Sequence, residues 1–252
     1  IDLRLANPER AAQAILANQP LLAGVKVRSS AVIVEDKGLA PFRRAIAAAE
    51  QAGCPLMVHM GEQPPTNGEN LPLFRAGDIL THCFHGKDAP LWRPDGTPIP
   101  EMGKALARGV QLDVGHGAAS FDATVAASVI GRGFYDFSIS TDLHGRSVKA
   151  PAVSLSTTMT KFLSLGMPLF AVIRAVTEIP ANRLRLSGWC DDPARNGTVF
   201  RLRSPRPGEV FTDAAGHAMP ASQVIDPVAV VVGGEWMAID KNVPAPGREE
   251  AM

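Results

Sequence analysis

Apolar residues in this chain come in short runs, and each run ends on a polar residue and a glycine. Leu56-Met57-Val58 leads to His59 and Gly61, and Ile79-Leu80-Thr81 leads to His82, with His85 and Gly86 beyond. Val110-Gln111-Leu112-Asp113-Val114 leads to Gly115-His116-Gly117, and Phe137-Ser138-Ile139-Ser140-Thr141 leads to Asp142 and then His144-Gly145. Gly24-Val25-Lys26-Val27-Arg28 is a run of the same kind, in which the alternation of side chains along a strand puts Lys26 and Arg28 on one face. Runs of this length bounded by glycine read as buried strands. A strand that ends in a coordinating residue followed by a loop is how α/β proteins build their sites.

Helix signals fill the gaps. Asn7-Pro8-Glu9 offers an N-cap, a proline at the first helical position and an acid in the first turn, which predicts a helix to about Ala17. Pro41 opens a helix that Gly53 closes, Glu101 to Arg108 forms another, and Ser120 is expected to cap a helix that Gly131 stops. Two more helices are expected near Leu155–Leu165 and Pro168–Glu178. The pattern is βα repeated, with the chemistry at the carboxyl end of each strand. From about Gly197 it changes. Thr198–Leu202, Glu209–Phe211 and Val228–Val232 read as strands separated by proline and glycine, part of a small β domain, and the tail VPAPGREEAM is expected to be mobile.

Five βα units do not close an eight-stranded barrel, which takes ~250 residues by itself. Either the sheet is open, or about three units lie upstream of Ile1. The start, IDLRLANPER, has no initiator methionine and no signal-peptide pattern, and it opens in what reads as a strand, so Ile1 reads as an internal point of a longer protein.

Composition narrows the partners. The 252 residues are 46% hydrophobic and 20% charged, ordinary for a globular protein, and the formal net charge of zero gives no electrostatic reason to expect nucleic acid or an anionic membrane. No apolar run approaches the ~20 residues of a membrane helix. A small-molecule substrate is the expected partner, and a homo-oligomer is compatible with this composition. Cys54, Cys83 and Cys190 are odd in number and far apart, which argues against a disulfide framework and for a reducing, cytoplasmic compartment.

The strand ends collect Lys26, His59, His82, His116 and Asp142. Imidazole and carboxylate are standard ligands of zinc-like metals. An ammonium has no lone pair, so a lysine in that set is a plain cation, a Schiff-base former, or a carbamate made with carbon dioxide, which is anionic and can bridge two metals. Taken singly, each residue has an ordinary role: a hydrogen-bonded histidine, a snorkelling lysine, an aspartate in a turn. His85, His144 and His217 keep such roles, and Cys83 reads as a small buried hydrophobe. The ordered set is more specific than its members.

In residue type, order and spacing, the lysine of GVKVRSS, the histidines of VHMGE and THCFHG, the VGHG turn and the aspartate of STDLHG resemble the amidohydrolase superfamily, closest to its dihydroorotase-like deacetylase branch. The likeness runs from about Gly24 to Leu186, and PVAVVVGGE resembles the return of the chain to that family's small β-sandwich. The resemblance implies an α/β fold: a (β/α)8 TIM-type barrel, here without its first strands, in residues 1–190, and part of a small β-sandwich domain with the tail in 191–252. It implies that the fourth, fifth, sixth and eighth barrel strands supply Lys26, His59, His82 and Asp142. Lys26 would be carboxylated and bridge two divalent metals, usually zinc; His59 and His82 would hold the second metal, and Asp142 would contact the first metal and the nucleophilic water.

The expected reaction is metal-assisted hydrolysis, with water acidified by the metals and Asp142 as general base and then acid. Arg28, His116 and Arg146 are candidates for gripping a substrate carboxylate or a developing oxyanion. Acetylated amino or hydroxy acids, or cyclic amides, fit the branch. The family's first-strand His-x-His pair has no match in this sequence, which motivates a competing expectation of a truncated, non-catalytic barrel remnant. A third makes Lys26 the Schiff-base lysine of an aldolase-like barrel.

Overall fold

The structure is a computed structural model, and it describes residues 2–186, 192 and 194–239. Ile1, Cys190 and the segment VPAPGREEAM lie outside the described residues.

The chain builds a four-stranded parallel sheet in sequence order, β1 (Val25–Ser29), β2 (Leu56–Met60), β3 (Ile79–Thr81) and β4 (Gln111–Asp113). The predicted Phe137 run continues the sheet as a single parallel bridge, Asp113 to Ser138. There the Ser138 N–H donates to Leu112 O and the Val114 N–H to Ser138 O, both at 2.9 Å. Beyond that bridge the run stays hydrogen-bonded to the turn after β4, with the His116 N–H donating to Ser140 O at 3.0 Å, but it does not form a full strand.

Ahead of the sheet stands α1 (Pro8–Ala17), with the Asn7 side chain accepting from the Arg10 N–H at 2.7 Å as its N-cap. The expected strand at the start is instead a short 3-10 turn, Leu3–Leu5, held by the Asp2 side chain. Between β1 and β2 run α2 (Ala31–Val34) and α3 (Ala40–Ala52), and α4 (Asn67–Asn70) lies between β2 and β3. Next come α5 (Pro100–Ala107) before β4 and α6 (Ala123–Ile130) after it. The N-cap of α6 is Asp122, which accepts from the N–H groups of Thr124 and Val125; Ser120, the expected cap, is buried upstream. The chain continues through α7 (Leu155–Ser164), α8 (Leu169–Val176) and α9 (Glu178–Arg183), the last not expected from the sequence.

Register sets the character of the two sheet faces. Leu56, Val58, Met60, Leu80 and Leu112 point to one side, fully or almost fully buried in a core that also holds Phe42 and Ala49 of α3 and Met102 and Ala105 of α5. The pairing Arg28–His59, His59–Thr81 and Thr81–Asp113 puts a row of polar residues on the other side at the strands' carboxyl ends. One face therefore stabilises the sheet by removing apolar area from water, and the other carries the chemistry.

The C-terminal part is antiparallel: β5 (Asn196–Arg203), β8 (Val224–Val232) and β9 (Glu235–Ala238) form one sheet in the order β5-β8-β9, and β6 (Phe211–Thr212) pairs with β7 (Ala218–Met219). No helix among the described residues is long and apolar enough to cross a membrane.

Candidate active site

His59 and His82 meet at the carboxyl ends of β2 and β3. Their rings stand edge to face with centroids 4.2 Å apart, and His82 Nε2 lies 2.7 Å from His59 Nδ1. The other nitrogen of His82, Nδ1, is 2.6 Å from the Gly115 carbonyl oxygen. A carbonyl only accepts, so Nδ1 carries the proton and the Nε2 lone pair is turned toward His59. A backbone carbonyl that fixes the tautomer in this way is the usual outer support of a metal-ligating histidine. Burial, aided by nearby positive charge, lowers His59 to about 3 and His82 to about 2, so both rings are neutral at physiological pH.

The local backbone is built for this approach. A Cβ on Gly115 (φ +49°) would lie 2.3 Å from Thr81 Oγ1 and 2.8 Å from His82 Nδ1, and one on Gly117 (φ +56°) would lie 3.0 Å from Asp142 Oδ2. Only glycine admits both contacts. His82 (φ +68°) and Asp142 (φ +44°) are non-glycine residues held in the left-handed region, a conformation that costs about 1–3 kcal/mol and clusters at functional sites.

Lys26 and Asp142 line one cavity of about 310 Å³ with Met57, Thr81, Asp113, Gly115 and Ser140; His82 meets this lining at the Gly115 carbonyl, and His59 is in register with Thr81. Lys26 Nζ contacts Met57 Sδ at 3.3 Å. Desolvation lowers the Lys26 ammonium below its ordinary value, against the pull of Asp113 and Asp142 and with the push of Arg28. The same ammonium is close enough to depress both histidines. The structure thus brings Lys26, Asp142 and the histidine pair into one neighbourhood.

The remaining candidates sit differently. Arg28 is exposed on the Lys26 face, in register with His59. Arg146 is exposed on the loop after Asp142, its N–H donating to His144 Nδ1. His116 is fully buried, with Nδ1 donating to Gly117 O at 2.9 Å and Nε2 2.8 Å from Lys161 Nζ.

Asp113 went unnoticed in the sequence reading. It is buried, and its carboxylate accepts from Thr81 Oγ1 at 2.7 Å, Ser140 Oγ at 2.8 Å and Ser138 Oγ at 2.7 Å. Alternation along VQLDV could have found it, since an acid two residues after Gln111 shares the inner face. His85, also buried and lowered to about 4 by desolvation, accepts from the Lys87 N–H, and Lys87 pairs with Glu62 at 2.6 Å.

The donor types fit a divalent cation: two neutral imidazoles and a carboxylate, with one imidazole already oriented by a carbonyl, and Lys26 could join them only as a carbamate. Among the described residues no group of three or more His, Cys, Asp or Glu side chains is placed to hold a metal ion.

Histidines raised at the ends of parallel strands, over an open polar face backed by helices, define the α/β class of enzyme in which the strand ends carry the site. No family model matches the chain. It is 35% identical to a deacetylase of Brucella anthropi over 246 residues, 96% of this chain and 61% of the relative. It is 36% identical to a deacetylase of Agrobacterium fabrum over 96% of this chain and 60% of that one. Among solved structures, a dihydroorotase matches with TM-score 0.83 at 35% identity, covering 95% of this chain and 63% of that one. An adenine deaminase matches with TM-score 0.85 at 30% identity, covering 94% and 66%. The chain is thus similar in sequence and in fold, along nearly its whole length, to deacetylases, a dihydroorotase and an adenine deaminase. It spans about three fifths of the length of these deacetylase relatives, 61% and 60%.

Proposed function

We propose that the protein is a metal-dependent hydrolase of a small amide or ester. In this reading residues 1–190 are the C-terminal portion of a (β/α)8 barrel, and 191–252 belong to a small β-sandwich domain. The observation that carries it is His82, whose Nδ1–H is fixed on Gly115 O so that Nε2 faces His59, beside a cavity holding Lys26 and Asp142.

Lys26 in carboxylated form, His59, His82 and Asp142 would hold the cations, two zinc ions in the complete protein. Such ions, when bound, bring the pKa of water toward neutrality and polarise a scissile carbonyl. Asp142 takes a proton from the attacking water on its carboxylate and returns it to the leaving group. Its exposed side chain, kept against Gly117 where a Cβ would intrude, is free to move a proton between water and substrate. Arg28, on the same face as Lys26, offers a bidentate fork to a substrate carboxylate, with Arg146 as a second. His116, expected as a third such group, is fully buried with both ring nitrogens engaged, so in this reading it holds the Gly115–Gly117 turn and does not grip the substrate. The deacetylase relatives favour an acetylated amino or hydroxy acid, with a cyclic amide second. The two described cysteines, Cys54 and Cys83, are free, which agrees with a reducing, cytoplasmic setting.

The test is to purify the protein with zinc and bicarbonate, measure its metal content, and assay a panel of N-acetyl amino acids, acetylated hydroxy acids and cyclic amides with and without chelator. Chelator-sensitive hydrolysis is the expected result; zinc-replete protein that binds no metal and cleaves none of the panel overturns the reading. The lowered ammonium of Lys26 also suits a Schiff-base lysine. Borohydride trapping with a carbonyl substrate would favour that second reading, and strict dependence of activity on metal would exclude it.

A further inference from the structure

Lys161 is a fully buried lysine on α7, outside the cation site, and its ammonium makes two contacts. Nζ donates to Pro151 O at 2.6 Å and lies 2.8 Å from His116 Nε2. Because His116 Nδ1 donates to the Gly117 carbonyl, Nε2 carries the lone pair and accepts from the lysine. The His116 ring is stacked on Phe121, with centroids 4.6 Å apart. Charging a buried lysine is expensive without compensation. Burial lowers Lys161 to about 8, and the buried carboxylate of Asp213, just after β6, acts in the opposite sense.

Both contacts belong to segments that frame Asp142. On one side, the turn Gly115–Gly117 is pinned at its centre by the His116 ring; the His116 N–H donates to Ser140 O at 3.0 Å, the Gly117 N–H to Thr141 O at 2.9 Å, and Gly115 O receives His82. On the other side, Pro151 ends the loop that starts at Asp142. That loop is closed on itself where the Val153 N–H donates to Ser147 O at 2.9 Å and Ser147 Oγ donates to Asp142 O at 3.4 Å. One ammonium therefore joins the turn behind Asp142 to the far end of the loop in front of it.

We propose that Lys161 is a positioning residue of the hydrolase described above: by holding His116 Nε2 and Pro151 O together it sets the placement of the Asp142 carboxylate against the His82 side of the site. It touches neither substrate nor cation. The proposal rests on the hydrolase reading for its kinetic consequence and on geometry alone for its structural one.

The experiment compares Lys161→Met, which keeps the stem and removes the donors, with Lys161→Gln and Lys161→Arg, which retain donors. Kinetics are measured on zinc-loaded protein and amide hydrogen exchange on metal-free protein. In Lys161→Met, kcat should fall by about 10- to 100-fold, the scale of a misplaced catalytic group, while KM and zinc content stay near wild type; a donor-bearing variant should recover part of the loss. Exchange should quicken at His116, Gly117 and Val153 and stay unchanged at Leu80 and Leu112. Wild-type kcat and exchange in Lys161→Met overturn the proposal, as does a uniform quickening of exchange with kcat per folded molecule unchanged, which marks a purely structural lysine. If the wild-type protein hydrolyses nothing, the hydrolase reading fails, and the exchange contrast still decides the clamp. If Lys161→Met does not fold, Lys161→Leu, which also lacks donors, carries the same two comparisons.

Discussion

His82 and His116 sit at the ends of adjacent strands, both buried, both neutral, each with Nδ1 donating to a backbone carbonyl. They differ at Nε2. In His82 it faces another imidazole at 2.7 Å; in His116 it accepts from the ammonium of Lys161 at 2.8 Å. The first arrangement brings two imidazole nitrogens together where the proposed cation would bind. The second closes the ring off and turns it into an anchor. Identical residue types with similar backbone support thus differ in their surroundings through one partner each, which comes from α7 in His116 and from the neighbouring strand in His82.

The largest expected effect lies between these two rings, at Asp142. Asp142→Asn should retain most of its metal and substrate affinity and lose about 10²- to 10⁴-fold in kcat, the range of general acid–base catalysis; near-normal turnover would make Asp142 structural. Next comes the support of His82. Gly115→Ala forces a Cβ to within 2.8 Å of His82 Nδ1 and should weaken metal affinity by about 10- to 100-fold, as loss of outer support does elsewhere. His116→Gln should leave metal affinity in place, so equal losses in the two variants would erase the distinction drawn here. Metal titration by competition with a chromophoric chelator measures both.

The sheet and its histidines were legible because buried parallel strands announce themselves as apolar runs and because His59, His82 and Asp142 each stand where a run stops. Lys26 and Arg28 were placed on one face by alternation alone, and β1 bears this out. Other features were hidden for physical reasons. Lys161 sits in LSTTMTKFLS near the helix end, where a lysine ordinarily complements the helix dipole, and nothing local says that the ammonium turns inward. The Phe137 run has strand composition but forms only a single bridge, because its partner β4 ends at Asp113 and the chain then turns through Gly115 and Gly117 at positive φ. The α6 cap fell to Asp122 and not Ser120 because the intervening residues include Phe121, which is drawn into the core. The positive φ at His82 and Asp142 has no signature in residue type.

A smaller effect separates histidines from the rest of the fold. His59, His82, His85 and His116 are lowered by burial to about 3, 2, 4 and 4. In the metal-free protein the unfolded chain takes up protons that the native state refuses. Stability is therefore complete above the ordinary histidine value of about 6.5 and falls as the pH drops below it, by about 1.4 kcal/mol per pH unit for each proton so taken up. Urea midpoints at a neutral and a mildly acidic pH read this slope, and a flat profile would contradict the buried neutral state. The smallest effect is Asn7→Ala, which removes the α1 cap far from the site and should cost about 1 kcal/mol of stability with kcat unchanged.

The central claim is that His59 and His82 form a cation site with Lys26 and Asp142. Anomalous diffraction at the zinc edge, on crystals of the protein grown with zinc and bicarbonate, tests it most directly. The account predicts a zinc peak about 2.0–2.1 Å from a nitrogen of each histidine, with added density on Lys26 Nζ. Zinc-replete crystals in which the two imidazoles remain hydrogen-bonded to each other, with no anomalous peak beside them and an unmodified Lys26, would contradict it.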